Sequence, residues 1–486
     1  MTSSGSNPLT GGGRPDGPPR TGPARPAWEF LLPAAAAPAR RRGRALQEAL
    51  REGVRSGALA RGTRLPSTRD LAADLGVSRG LVTEAYDQLV AEGYLRSGRG
   101  AGTWVTGAAR RPARAVRDLA PGVGAGTALD FRPGTPDLAL FPRAAWAAAH
   151  RRVLADLPHR SLGYPDPRGL PALRTALAEL LTRRRGVVAD PERIVVCSGV
   201  AQAVTLLGAV LRERGVREVG AEDPGSPQHA LQFAAAGIDR TVPVEVDDEG
   251  LRVDRLRESG VRAVVTTPSH QFPLGVAYSP RRRTELLEWA GECDGLVVED
   301  DYDGDFRYDR APVGALQGLD PERVAYTGSV SKSLAPGLRL GWLLLPERLA
   351  DAVVARKRLT DLGHPVLDQA QLARFLARGD YDRHLRRCQA AYRERRDAMV
   401  GALDAHFPGT RTGGIAAGLH IVAHLPDRYG PQPEFLARAA AAGVQLRPLN
   451  DYRRPAARDD AVRLVLGYAH LTPGRIAEGV RTLAGA

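Results

Sequence analysis

The sequence predicts an α/β protein in two parts. A large domain is built on a mostly parallel sheet and ends in a small C-terminal α+β subdomain; ahead of it stands a compact block of helices closed by a β-hairpin. Two observations predict this. From Leu129 onward, helix-period stretches alternate with the short apolar runs Ile194-Val195-Val196, Val264-Val265, Leu296-Val297-Val298 and Val324-Ala325-Tyr326, the rhythm of buried strands separated by helices. Upstream, two helix starts and a glycine turn are crowded between about residues 44 and 106 and are followed by a glycine-rich hairpin.

A chain of 486 residues has room for two to four domains at roughly 100–200 residues each. Residues 1–26, rich in Gly, Pro and Ser, read as a disordered tail, 27–107 as the helical block, 108–127 (Ala, Arg, Pro, Gly) as a linker and 128–486 as the α/β domain. No apolar run approaches the roughly 20 residues of a membrane span, and the N-terminus lacks a secretory pattern. Three distant cysteines, Cys197, Cys293 and Cys388, argue against a disulfide framework or a cysteine-zinc site. The reading is therefore cytoplasmic, without membrane or metal. A net charge of +13 suits an anionic partner, nucleic acid first. Nearly all of the basic residues are arginine; the lysines are Lys332 and Lys357.

In chain order, Trp28-Glu29-Phe30-Leu31-Leu32 is expected as a short strand, and Ala45 to Val54 as a helix. Leu65-Pro66-Ser67-Thr68-Arg69-Asp70-Leu71 then opens a helix with a capping box in which Asp takes the usual place of Glu. Gly76-Val77 turns the chain, and Ser78 caps a second helix running to about Glu92, with Val77, Leu81, Val82, Ala85 and Leu89 facing inward. Two short helices joined by a glycine turn fit a helix-turn-helix, whose second helix enters the major groove by its N-terminal end. That end carries Ser78, Arg79 and Thr83; Arg79 suits bidentate pairing with guanine or phosphate, and Arg69 is placed for the backbone. Tyr94-Leu95-Arg96 and Thr103-Trp104-Val105 flank a basic glycine-rich tip containing Arg99, a wing able to approach the sugar-phosphate chain. Arg64 to Ala72, Leu75 to Arg79 and Glu92 to Leu95 together closely resemble the winged helix-turn-helix of the GntR superfamily. Gly80 departs from it, standing where that family usually carries a polar side chain.

In the large domain, Thr327-Gly328-Ser329-Val330-Ser331-Lys332-Ser333 follows a predicted strand. A lone lysine among small hydroxyl residues suits a Schiff-base lysine for pyridoxal 5'-phosphate (PLP), the hydroxyls of Ser329 and Ser331 lying near the phosphate. Arg339 offers the phosphate a charged partner. Val297-Val298-Glu299-Asp300-Asp301-Tyr302 puts acids at the end of another buried strand, where an ionised carboxylate would keep a pyridine nitrogen protonated. Ser198-Gly199-Val200-Ala201 joins a strand to a helix whose first amides form an anion site.

These pieces, in this order, resemble fold-type I PLP enzymes of the aspartate aminotransferase superfamily. Asp130 to Asp137, Thr267 to Gly275 and Asp300 to Tyr308 resemble the wording of MocR-type regulators, which join a GntR winged helix to such a domain. The resemblance implies Lys332 as the residue bonded to PLP, Asp300 as the pyridine-nitrogen partner and Tyr302 as the partner of the ring oxygen O3'. It also implies Ser329, Arg339 and the amides of Val200 and Ala201 around the phosphate, and Arg463 on the carboxylate of a substrate or effector. Two departures matter. Ser226 follows Glu222-Asp223-Pro224-Gly225 where a ring-stacking tyrosine is usual, and Phe272 replaces the asparagine that catalytic aminotransferases direct at O3'. His229 or His270 is expected to cover the ring instead, and transamination is expected to be weak at most. The implied protein is a homodimeric regulator binding operator DNA and responding to PLP or to a small amine. The alternatives are a working aminotransferase with a DNA-binding appendage, and a regulator that has lost PLP.

Overall fold

The computed structural model describes residues 28–98, 102–106, 129–309 and 313–485. The expected tail and linker lie outside the described residues. The chain divides into two compact units, Met1–Val123 and Gly124–Ala486.

In the first unit, the strand expected at Trp28–Leu32 does not form. Trp28–Leu31 is a 3-10 turn running into a one-turn helix, Leu32–Ala35. Pro33, in the first turn of that helix, has its φ preset for helix and lacks the N–H a sheet would need. Leu31 is fully buried with Leu46, Leu50 and Leu59. Helix α1 (Arg42–Ser56) outruns its expected span at both ends and stops at left-handed Gly57. After the two-residue strand β1 (Arg64–Leu65), α2 (Thr68–Leu75) starts where Ser67 Oγ accepts from the Asp70 amide. It ends at Gly76, φ 62°. Helix α3 (Arg79–Ala91) is capped in the same way, Ser78 Oγ accepting from the Leu81 amide. Its buried face is Val82, Ala85, Tyr86 and Leu89. Val77 and Leu81 are only half-buried, and Tyr86, which donates to Pro66 O, takes the central place instead. Strands β2 (Leu95–Gly98) and β3 (Gly102–Val105) pair antiparallel as the expected wing, and β1 adds to β3 in the order β1-β3-β2. Arg99, expected at the wing tip, lies outside the described residues.

The second unit is organised by an eight-stranded sheet. Its strands are β4 (Ile194–Cys197), β5 (Glu218–Asp223), β6 (Arg240–Asp247), β7 (Gly250–Leu251), β8 (Ala263–Thr266), β9 (Leu296–Asp300), β10 (Val324–Ser329) and β11 (Gly341–Leu344). The order is β4-β11-β10-β9-β8-β5-β6-β7; β11 runs antiparallel to both neighbours and β7 antiparallel to β6, the other pairs being parallel. All four apolar runs named above are strands of this sheet. β8 and β9 are buried along their whole length, as parallel strands covered on both faces must be, and so is the edge strand β4. Helices α4 (Val200–Glu213) and α5 (Pro227–Ala235) follow β4 and β5. The expected small subdomain contains the long helix Asp380–His406 and the antiparallel strands β12 (Arg411–Gly413), β13 (His420–His424) and β14 (Arg463–Gly467).

Candidate functional site

At the carboxyl ends of β4, β9 and β10, where open α/β sheets bind their ligands, lies a cavity of about 410 Å³. It gathers residues from distant parts of the chain: Gly134, Val200, Ala201, Ser226, His229, Thr267, Phe272, Asp300, Tyr302, Ser329, Ser331, Lys332, Arg339 and His420.

Lys332 sits in the turn after β10, where Ser329 Oγ accepts from the Ser331 amide. Its Nζ donates to the carbonyl of Gly134. Burial pushes the Lys332 amine below the ordinary lysine range, against the opposing pull of Asp303 and Asp300. Asp300 ends β9, 8% exposed. It is fixed from two sides, by His229 Nε2 at 3.0 Å and by Thr327 Oγ1 at 3.3 Å.

The opposite pole is cationic. Helix α4 begins at Gly199, which has no side chain to cap it, so the first amides, including Val200 and Ala201, have no intrahelical partner. Arg339, with φ 51°, donates to the carbonyl of Ser198 and closes over this turn. A Cβ on Gly199 would stand 3.0 Å from the Arg339 guanidinium. The turn and Arg339 thus form an anion cradle that admits only glycine at its centre. Behind it, Gln202 Oε1 accepts from the Ser198 amide, Gln202 Nε2 donates to Asp361, and fully buried Lys357 donates to the same carboxylate at 2.6 Å. Lys357 is therefore a structural cation and lies outside the cavity lining.

The two departures noted in the sequence meet in the cavity wall. Ser226 and Phe272 both line it, and the Phe272 ring meets Tyr302 edge-on, centroids 5.9 Å apart at 84°. Of the two histidines expected to cover a ring, His229 lines the cavity but has its Nε2 on Asp300. His270 is not among the lining residues; it is sealed behind Tyr302 against Asp303. Sequence reasoning missed His420 and Gly134. His420, on β13, is held neutral, its pKa pushed down to about 3 by burial and by neighbouring His270. Gly134 lay within a recognised motif, but nothing local marks its carbonyl as the acceptor for Lys332.

Arg463 is not among the cavity residues. Half-buried on β14, it pairs with Asp459 at 2.5 Å.

In the first unit, Arg69, Ser78 and Arg79 are exposed and Thr83 is half-buried. Thr68 Oγ1 accepts from Arg79 Nε at 3.4 Å. Thr83 donates back to the Arg79 carbonyl. A Cβ on Gly80 would meet nothing within 4 Å, so the front of α3 is open to a close approach. Among the described residues no His/Cys/Asp/Glu cluster is arranged to hold a metal, and no helix is long and apolar enough to cross a membrane.

Comparison with known proteins agrees with this division. Residues 129–481 match the family model for aminotransferase class I and II, and residues 43–105 that for bacterial regulatory proteins of the gntR family. The chain is 35% identical over 471 residues to a probable rhizopine catabolism regulatory protein, MocR, of Rhizobium meliloti, covering 91% of this chain and 93% of that one. It is 34% identical over 427 residues to the pyridoxine biosynthesis transcriptional regulator PdxR of Corynebacterium glutamicum, covering 87% and 91%. Among solved structures, a kynurenine aminotransferase of Pyrococcus horikoshii superposes with a TM-score of 0.67 at 29% identity, over 74% of this chain and 91% of that one. A gntR-type winged helix-turn-helix joined to a fold-type I aminotransferase domain defines a class of transcription regulator. The chain belongs to the MocR family of that class.

Proposed function

We propose that this regulator binds PLP through Lys332 and that the bound cofactor, or a small amine reacting with it, alters the affinity of the winged helix for operator DNA. One observation carries the reading. A half-buried lysine, a carboxylate fixed on β9 and a glycine-centred anion cradle converge on a single cavity. PLP presents an aldehyde, a pyridine nitrogen and a phosphate, and the cavity holds a complementary group for each. When bound, PLP supplies an electron-withdrawing ring and a carbonyl reactive toward amines. Lys332, its ammonium disfavoured by burial, would supply the amine that bonds the aldehyde. Asp300, oriented by His229 and Thr327, would hold a proton on the pyridine nitrogen. Tyr302 would serve the ring oxygen, and Ser329, Ser331, Arg339 and the amides of Val200 and Ala201 would hold the phosphate.

Ser226 and Phe272, in place of a stacking ring and an amide donor, favour sensing over turnover, so transamination is at most weak. Arg463 would reach an effector carboxylate only by exchanging its partner Asp459. Exposed Leu162, Tyr164, Leu359 and Leu362 form apolar surface suited to a homodimer, and two winged helices per dimer would read two half-sites. Arg69, Ser78, Arg79, Thr83 and the wing residue Arg99 would make the DNA contacts. Three free cysteines agree with a reducing cytoplasm. The test is visible absorbance after adding PLP to the purified chain: a protein-bound band that Lys332→Ala abolishes supports the reading, and an identical band in that variant removes it.

A further inference from the structure

His270 and Asp303 stand behind Tyr302, and nothing so far gives them a part in the site. His270 Nδ1 is 2.9 and 3.1 Å from the two carboxylate oxygens of Asp303 and 3.0 Å from the Tyr302 hydroxyl. Both side chains are sealed, 3% and 1% exposed. The fold makes room for them: Gly418, φ 71°, lies so close that a Cβ there would collide with the His270 ring and the Asp303 carboxylate together.

This packing matters because Phe272 supplies no hydrogen bond where an amide would stand, so at this end of the cavity the task falls to the Tyr302 hydroxyl. Tyr302 has one proton and two directions in which to send it. Behind it is the Asp303 carboxylate, which adds to burial in pushing the Tyr302 hydroxyl well above the ordinary tyrosine range; in front is whatever oxygen occupies the cavity. A carboxylate is the stronger acceptor and would take the proton. With its proton on Nδ1, His270 lies between them and donates to Asp303 and to the Tyr302 oxygen at once. It thereby satisfies the carboxylate and leaves the tyrosine proton for the cavity.

We propose that His270 and Asp303 are a positioning pair that sets the direction of the Tyr302 proton, and with it the pH at which PLP bound through Lys332 changes protonation. The inference rests on the cofactor reading above. Few other groups nearby are free to imitate it. Arg185 is paired with Asp301 and Arg307 with Asp309. His420 stays neutral, and Tyr308 and Tyr468 are pushed by burial well above the ordinary tyrosine range. Glu222 is held by Thr267 and Tyr278. Asp300 and Lys332 remain, common to every variant below. Asp303 also supports a cation at Lys332 Nζ, more strongly than Asp300 does.

The experiment titrates the visible absorbance of the full-length, PLP-loaded chain with pH. Asp303→Asn removes both the rival acceptor and the anion favouring a cation at Lys332, so the midpoint falls. His270→Phe surrenders the Tyr302 proton to Asp303, so the cavity oxygen loses its donor and the midpoint rises. Each shift is about one pH unit, tenfold in proton affinity. In a Tyr302→Phe background the His270→Phe shift vanishes. General loosening of the site would move both single variants the same way. Unchanged midpoints, shifts of one sign, or a His270→Phe shift that survives in Tyr302→Phe overturn the proposal. Should His270→Phe fail to fold, His270→Leu repeats the test. A wild-type chain with no band at all would overturn the cofactor reading, and this inference with it, an outcome distinct from a band whose midpoint does not move.

Discussion

Replacing Gly199 by alanine strikes the anion cradle at its centre, and both costs follow from the structure. Gly199 has φ 79° and ψ 176°, a region essentially closed to residues with a Cβ, and forcing alanine into it costs about 1–3 kcal/mol. The new methyl would also lie 3.0 Å from Arg339 NH2, so the guanidinium must shift. Arg339 hydrogen-bonds a charged phosphate in the proposed complex, and such bonds contribute about 1.5–3 kcal/mol, a loss of roughly 10- to 150-fold in PLP affinity. Gly199→Ala should therefore lower the denaturant midpoint without changing the slope, and weaken PLP binding in a direct titration. Gly80→Ala is the control. It lies in α3 with open space around it and should stabilise the first unit by up to about 1 kcal/mol without touching PLP affinity. A Gly199→Ala chain as stable as wild type, binding PLP as tightly, would refute the cradle.

Three further outcomes are expected. Asp361→Ala strands the fully buried Lys357 ammonium and should cost roughly 3–5 kcal/mol, read by chemical denaturation. Burial lowers the Lys332 pKa in the folded state, so between the folded and unfolded values the unfolded chain binds more protons and stability rises with pH. In the cofactor-free protein the stability advantage of Lys332→Met should accordingly be fully present below the lowered pKa and fade as pH climbs toward the ordinary lysine range; an advantage independent of pH would contradict the assignment. Arg79→Ala should weaken binding to the specific operator by about 1–3 kcal/mol if the guanidinium reads a base, and a gel-shift series on operators altered at single positions should show one position losing its discrimination.

What could be read from the sequence was local in origin. Ser67 and Ser78 announce their helices because a cap acts within three residues, and the apolar runs announce the central strands because both faces of a parallel sheet are buried. Lys332 stood out because its neighbours are small hydroxyls; the strand-end acids were visible as a group, and the family resemblance picked Asp300 from among them. The failures have equally physical causes. Leu31 was read as part of a strand, but Pro33 and the alanines after it favour a turn of helix. A two-residue strand such as Arg64–Leu65 has no period of its own and exists only because β3 pairs with it. Gly134 and His420 reach Lys332 from segments some 200 residues before it and 90 after it, an arrangement no local pattern encodes. The pairing of His270 with Asp303 depends on a left-handed glycine at 418, equally remote in the chain.

The most direct test of the account is the affinity of the full-length protein for the DNA upstream of its own gene, with and without PLP, for wild type and Lys332→Ala. Salt must be held fixed, because phosphate contacts make such affinities steeply salt-dependent. The account predicts that PLP changes the affinity or the footprint of wild type and leaves Lys332→Ala unmoved. DNA binding that ignores PLP in wild type, or that responds equally in both proteins, would contradict it.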